Sequence, residues 1–88
     1  MTQPEITVYM NGWCGYCQRA LRLLADKKLK VTEINVEDDL KFREEMVSRS
    51  KARTVPQIFI GERHIGGCDN LVALDDSGEL DRILNQGA

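Results

Sequence analysis

Neither a surplus of positive charge nor a long apolar run marks this sequence of 88 residues. Its 12 lysines and arginines stand against 14 aspartates and glutamates, a formal net charge of −2. Bulk nucleic-acid binding needs a strongly basic face, so that class is argued against. No apolar stretch approaches the ~20 residues of a membrane-spanning helix. The opening Met1-Thr2-Gln3-Pro4-Glu5 has neither the basic end nor the apolar core of a signal peptide, and the expected location is cytoplasmic. Cysteine is scarce as well, with 3 in the chain. An odd number, two of them three positions apart, is poor material for a disulfide scaffold. In a reducing compartment such cysteines more often bind metal or carry out redox chemistry.

What is present is ordinary globular composition, 42% hydrophobic and 30% charged. A chain of this length is expected to form a single domain over residues 1–88, and no repeat, low-complexity tract or linker divides it. Glu5 to Met10 is short, β-branched and aromatic, and reads as a buried strand ended by Asn11-Gly12. Gly15 to Lys28 reads as a helix, with Cys17, Ala20, Leu21 and Leu24 recurring at three- and four-residue spacing. Val31 to Val36 returns to strand character. Asp38 and Asp39 open a second helix, where Leu40, Phe42, Met46 and Val47 form a weaker apolar side before its end near Ser50.

Gln57 to Ile60 is a third strand, and Gly61-Glu62 turns it into a fourth over Arg63 to Ile65. Cys68 to Leu74 and Ser77 to Leu84 read as two short helices. This order predicts an α/β fold: a four-stranded mixed β-sheet flanked by helices, its first two strands parallel and a hairpin last.

Trp13-Cys14-Gly15-Tyr16-Cys17 falls where a strand has ended and a helix begins. The unpaired N–H groups and positive end of a helix N-terminus favour a thiolate over a thiol. Cys14 lies at that end, while Cys17 lies a turn inside. Cys14 is therefore expected to attack and Cys17 to resolve. The rival reading of a Cys-x-x-Cys pair is half of a zinc site. Structural zinc wants four ligands, usually from a second pair at similar spacing, and Cys68 and His64 do not form one.

Thr54-Val55-Pro56 precedes an apolar strand, where a proline either starts the strand or shapes a special turn. Spacing alone does not choose between a trans and a cis bond. In Gly66-Gly67-Cys68-Asp69, two glycines before a helix let the backbone approach a ligand, and the helix end can receive an anion. Asp69 either caps that helix or accepts a ligand's ammonium group. His64 reads as a surface strand residue without a role.

Together, Cys14-Gly-Tyr-Cys17, Thr54-Val-Pro-Gln-Ile-Phe-Ile60 and Ile65-Gly-Gly-Cys-Asp69 resemble the dithiol branch of the glutaredoxin family in order and spacing, over roughly Ile6 to Leu84. The resemblance implies a thioredoxin-like fold with a cis-Pro, Pro56, beside the active site. It implies a glutathione-dependent disulfide oxidoreductase, with glutathione as electron donor and glutathionylated or disulfide-containing proteins as partners. Glutathione would lie across these motifs with its sulfur at Cys14 and its backbone on Val55. Tyr16, Thr54 and Pro56 would line the groove, and the γ-glutamyl end would meet Gly67, Cys68 and Asp69. Arg43 matches a position that often contacts the glycine carboxylate.

Two positions depart from that pattern. Gly15 stands where dithiol members usually carry proline, and Asn11 where they commonly carry a cation. These changes leave thiolate stabilisation to the helix end and Arg19. By the same resemblance, a small residue at position 15 permits an alternative binding role. In it a [2Fe–2S] cluster is held between two copies, with Cys14 of each and two glutathiones as ligands; otherwise a monomer is expected. A thioredoxin is the further alternative, suggested by Trp13-Cys14-Gly15 and disfavoured by the Gly67-Cys68-Asp69 turn.

Overall fold

The β-branched segment after Pro4 becomes β1 (Ile6–Met10), the strand around which the sheet is assembled. The computed structural model describes residues 4–85. β1 pairs in parallel with β2 (Thr32–Asn35), Val8 standing opposite Glu33. On its other side it pairs antiparallel with β3 (Gln57–Ile60), Val8 opposite Ile58. β4 (Arg63–Gly66) closes the far edge as a hairpin with β3, in the strand order β2-β1-β3-β4. Parallel strands cannot be joined by a tight turn, and α1 (Gly15–Asp26) supplies the crossover.

Side-chain alternation splits the core into two layers. Ile6, Val8, Ile58 and Ile60 share one cluster with Ala20 and Leu24 of α1 and Leu71 of α3 (Cys68–Ser77). Leu80 and Ile83 of α4 (Glu79–Asn85) complete it. Tyr9 and Phe59, on the opposite face, pack with Val36 and with Met46 of α2 (Leu40–Ser50). The mixed sheet flanked by helices is thus as expected. Among the described residues no helix is long and apolar enough to cross a membrane.

Several boundaries differ from the sequence reading, each for a local reason. α1 ends at Asp26 because Lys28 takes a left-handed conformation, φ 61°. Lys27 instead reaches Asp75 at 2.7 Å and Asp81 at 3.1 Å, tying the end of α1 to α3 and α4. α2 starts at Leu40, with the Asp39 carboxylate accepting the Lys41 N–H at 2.9 Å as a cap. Its apolar side is narrower than expected. Met46 is buried, but Leu40 is 70% exposed on the first turn. α3 runs past Leu74 to Ser77 and is stopped by Gly78, φ 83°, so that α4 begins at Glu79.

Candidate active site

The end of β1 and the start of α1 set the nucleophile's position. Asn11 is buried, and its side-chain oxygen accepts the Trp13 N–H at 3.3 Å, turning the chain toward the helix. Cys14 is the N-cap of α1, with extended backbone at φ −89° and ψ 116°. Its sulfur accepts the Cys17 N–H at 3.3 Å, one of the donors that the first helical turn leaves without a partner. An N–H directed at sulfur suits a thiolate. The Cys14 thiol also lies 3.8 Å from the Val55 carbonyl oxygen, its acceptor when protonated. Cys14 is half-buried, whereas Trp13 and Tyr16 on either side of it are exposed.

Cys17 is fully buried, one turn into α1. Burial first, then the hydrogen bond with Cys14, pushes its thiol up to about 12, opposed by the Asn11 backbone amide. The two cysteines are thus unlike. One is accessible and bonded as an acceptor; the other is buried and holds its proton. Cys68 is also buried, and burial raises its thiol against the pull of Arg19.

Beside Cys14 runs an open groove of about 190 Å³. One wall is Tyr16 with the Thr54-Val55-Pro56 turn, whose Val55–Pro56 bond is cis; the other is Gly67, Cys68, Asp69 and Asn70. The structure therefore brings the three sequence motifs to one place. Arg43 stands apart from that lining. Its guanidinium pairs with Glu37 at 2.9 Å and reaches the Arg53 carbonyl at 3.5 Å.

The second wall corrects one detail. Asp69 does not cap α3: the Asn70 side chain reaches back to the Gly67 N–H at 3.1 Å. The Asp69 carboxylate is exposed and makes no hydrogen bond or ion pair among the described residues. Gly66 needs to be glycine because of its φ of 115°, and because an added Cβ would fall 2.6 Å from the Asn70 oxygen. A Cβ on Gly67 would meet only the Pro56 carbonyl, at 3.5 Å. Sequence reasoning passed over Asn70, although its place three residues after Gly67 is the spacing of a side chain that reaches back to a helix start.

A buried and a half-buried thiol, one turn apart at a helix start on a thioredoxin-like sheet, define a thiol–disulfide oxidoreductase class. A glutaredoxin family model matches residues 6–65, and the chain belongs to the glutaredoxin family. Glutaredoxin 3 of Escherichia coli strain K12 is 47% identical over 80 residues, covering 91% of this chain and 96% of the relative. The solution structure of a glutaredoxin from Brucella melitensis superposes with a TM-score of 0.86 at 43% identity, covering 100% of this chain and 96% of that one. A buckwheat glutaredoxin–glutathione complex superposes with a TM-score of 0.86 at 28% identity, covering 97% and 79% respectively.

Proposed function

We propose that the chain is a glutathione-dependent oxidoreductase that reduces protein–glutathione mixed disulfides and other disulfides through Cys14 and Cys17. The Cys14 thiolate attacks the glutathione sulfur of a mixed disulfide. A new S–S bond forms, the old one breaks, and the protein leaves as a thiolate that takes up a proton. A second glutathione thiolate then attacks that sulfur, releasing oxidised glutathione and restoring Cys14. With a protein disulfide, the Cys17 thiolate attacks the Cys14 sulfur of the mixed disulfide instead. A Cys14–Cys17 disulfide forms, and the protein leaves as a thiolate that takes up a proton. Two glutathiones then reduce the internal disulfide and leave as oxidised glutathione.

The observation that carries this reading is that Asp69, whose carboxylate is unpaired among the described residues, lines the same groove as Val55, the residue whose carbonyl meets Cys14. A bound glutathione would place its ammonium at Asp69, its peptide backbone on Val55 and its sulfur at Cys14. The groove's Tyr16, Thr54, Pro56, Gly67 and Cys68 would enclose it. The buckwheat complex supports this ligand. Asp69→Ala is expected to raise the KM for glutathione about 3- to 10-fold, the range of one exposed charge-assisted hydrogen bond, and to spare reduction by dithiothreitol. Steady-state rates with the two reductants check it; equal loss with both would make Asp69 structural.

The cluster-binding alternative draws on one feature, the open space beside Cys14: a Cβ on Gly15 would meet nothing within 4 Å. Among the described residues no group of three or more His, Cys, Asp or Glu side chains can hold a metal. A [2Fe–2S] cluster on Cys14 would, as the family resemblance implies, take its remaining ligands from Cys14 of a second copy and two glutathiones. The steps above do not use it.

A further inference from the structure

The chain's single histidine, His64, lies on β4 where the ladder slips. Ile58 faces Gly66 while Phe59 faces His64, so β4 carries one extra residue, Ile65, at a bulge. The hairpin register before the slip, Ile60 opposite Arg63, sets His64 opposite Phe59 on the α2 side of the sheet, the side that Gln57 also faces. The imidazole stacks on Phe59, ring centroids 4.9 Å apart and planes 28° from parallel. Phe59 is itself held: the Arg49 guanidinium lies 4.1 Å from its centroid and donates to the Tyr9 hydroxyl at 2.8 Å. The His64 ring therefore rests on a fixed surface.

From that position its Nε2 meets Gln57 Oε1 at 2.7 Å. Gln57 is buried, and its Nε2 donates to the Thr54 carbonyl at 3.1 Å and to the Thr54 hydroxyl at 3.2 Å. Two acceptors around the amide nitrogen decide which end of the amide is which, and leave its oxygen for His64. His64 must then be the donor at Nε2. The hydrogen bonds run one way, from imidazole to amide to Thr54. Thr54 lies between α2 and β3 and belongs to neither. The residue after it is Val55, whose carbonyl meets Cys14.

We propose that His64 and Gln57 are positioning residues for glutathione. They hold the Thr54-Val55-Pro56 turn so that the Val55 main chain is presented to the peptide backbone of the bound tripeptide. The inference rests on the glutathione reading above and extends it to residues outside the groove lining. It separates two classes of substrate. A disulfide whose half transferred to Cys14 has a peptide backbone, as glutathione does, needs the turn in place. A disulfide whose transferred half has none needs only Cys14, whatever the leaving half.

The test uses one peptide carrying either glutathione or 2-mercaptoethanol as its mixed disulfide. His64→Phe keeps a flat ring on Phe59 but removes the donor. Gln57→Glu removes the donors to Thr54, and His64→Gln returns a side-chain N–H. Losing one link should raise the KM for the glutathionylated peptide about 3- to 10-fold in His64→Phe and Gln57→Glu, with kcat changed less than about 2-fold. The mercaptoethanol peptide should be unaffected, and His64→Gln should recover part of the loss. Thermal midpoints of the variants show whether each is folded. An unchanged KM in folded His64→Phe overturns the proposal. So does an equal loss with both peptides, which would mean that Cys14 rather than the turn had moved. A wild type that takes both peptides equally well overturns the glutathione reading, and this inference with it.

Discussion

Cys14→Ser is expected to abolish both deglutathionylation and protein disulfide reduction, by more than about three orders of magnitude in rate. The hydroxyl is smaller than a thiol and fits the same N-cap, where a serine accepts the first-turn N–H at least as well as sulfur does. Fold and groove should survive. Chemistry should not, because a serine hydroxyl is not appreciably ionised near neutral pH and no general base stands beside it among the described residues. The Cys14 sulfur meets the Val55 carbonyl at 3.8 Å, and a carbonyl does not take up a proton at this pH. Assays on a glutathionylated peptide and on a protein disulfide, with the thermal midpoint measured alongside, check the separation of fold from activity. Residual deglutathionylation above a few per cent would transfer the nucleophile's role to Cys17 or Cys68.

Cys17→Ser should split the two activities instead. Attack on a glutathionylated substrate needs only Cys14, so that rate should remain within about 2- to 3-fold of wild type. Any change within that range is expected to be a rise, because the internal Cys14–Cys17 disulfide that diverts the enzyme can no longer form. Reduction of a protein disulfide should fall about 10-fold or more, since the neighbouring thiol that closes the mixed disulfide is gone. The surroundings of Cys17 explain the order of events. Its thiol is pushed up to about 12 by burial and then by its contacts with Cys14. Burial therefore keeps Cys17 protonated while Cys14 makes the first attack, and once Cys14 is joined to a substrate Cys17 is the neighbouring thiol that closes the mixed disulfide. Rates for the two substrates in the one variant, taken as a ratio to wild type, measure the split.

The parts of this molecule that were legible in its sequence are those set by short periods. Ile6 and Val8, with Ile58 and Ile60, alternate against Tyr9 and Phe59, and the structure divides them between the same two layers. Cys17, Ala20 and Leu24 recur at helical spacing and are all buried. Cys14 and Cys17 could be told apart because a helix start follows directly on a strand end, which fixes one at the N-cap and the other a turn within.

What was not legible depends on register and on neighbours distant in sequence. Leu40 fits the apolar pattern of α2, yet it sits on the first turn beyond the sheet's cover. Gly66 and Gly67 look equivalent on paper. Only Gly66 has the positive φ, and only there would a side chain strike Asn70. His64 was given no role because its hydrogen-bond partner, Gln57, lies two residues along β3 from the position opposite it, a diagonal contact that no alternation of residue types announces. Arg43 is paired with Glu37, six residues before it, across the loop that leads into α2.

The central claim is that Cys14 carries glutathione as a covalent intermediate. Incubating Cys17→Ser with oxidised glutathione and reading intact mass, then mapping the adduct by peptide mass, tests it most directly. The account predicts one glutathione per chain, on Cys14, released by added reduced glutathione. An adduct on Cys68 in its place, or no adduct under conditions that turn over the wild type, would contradict it.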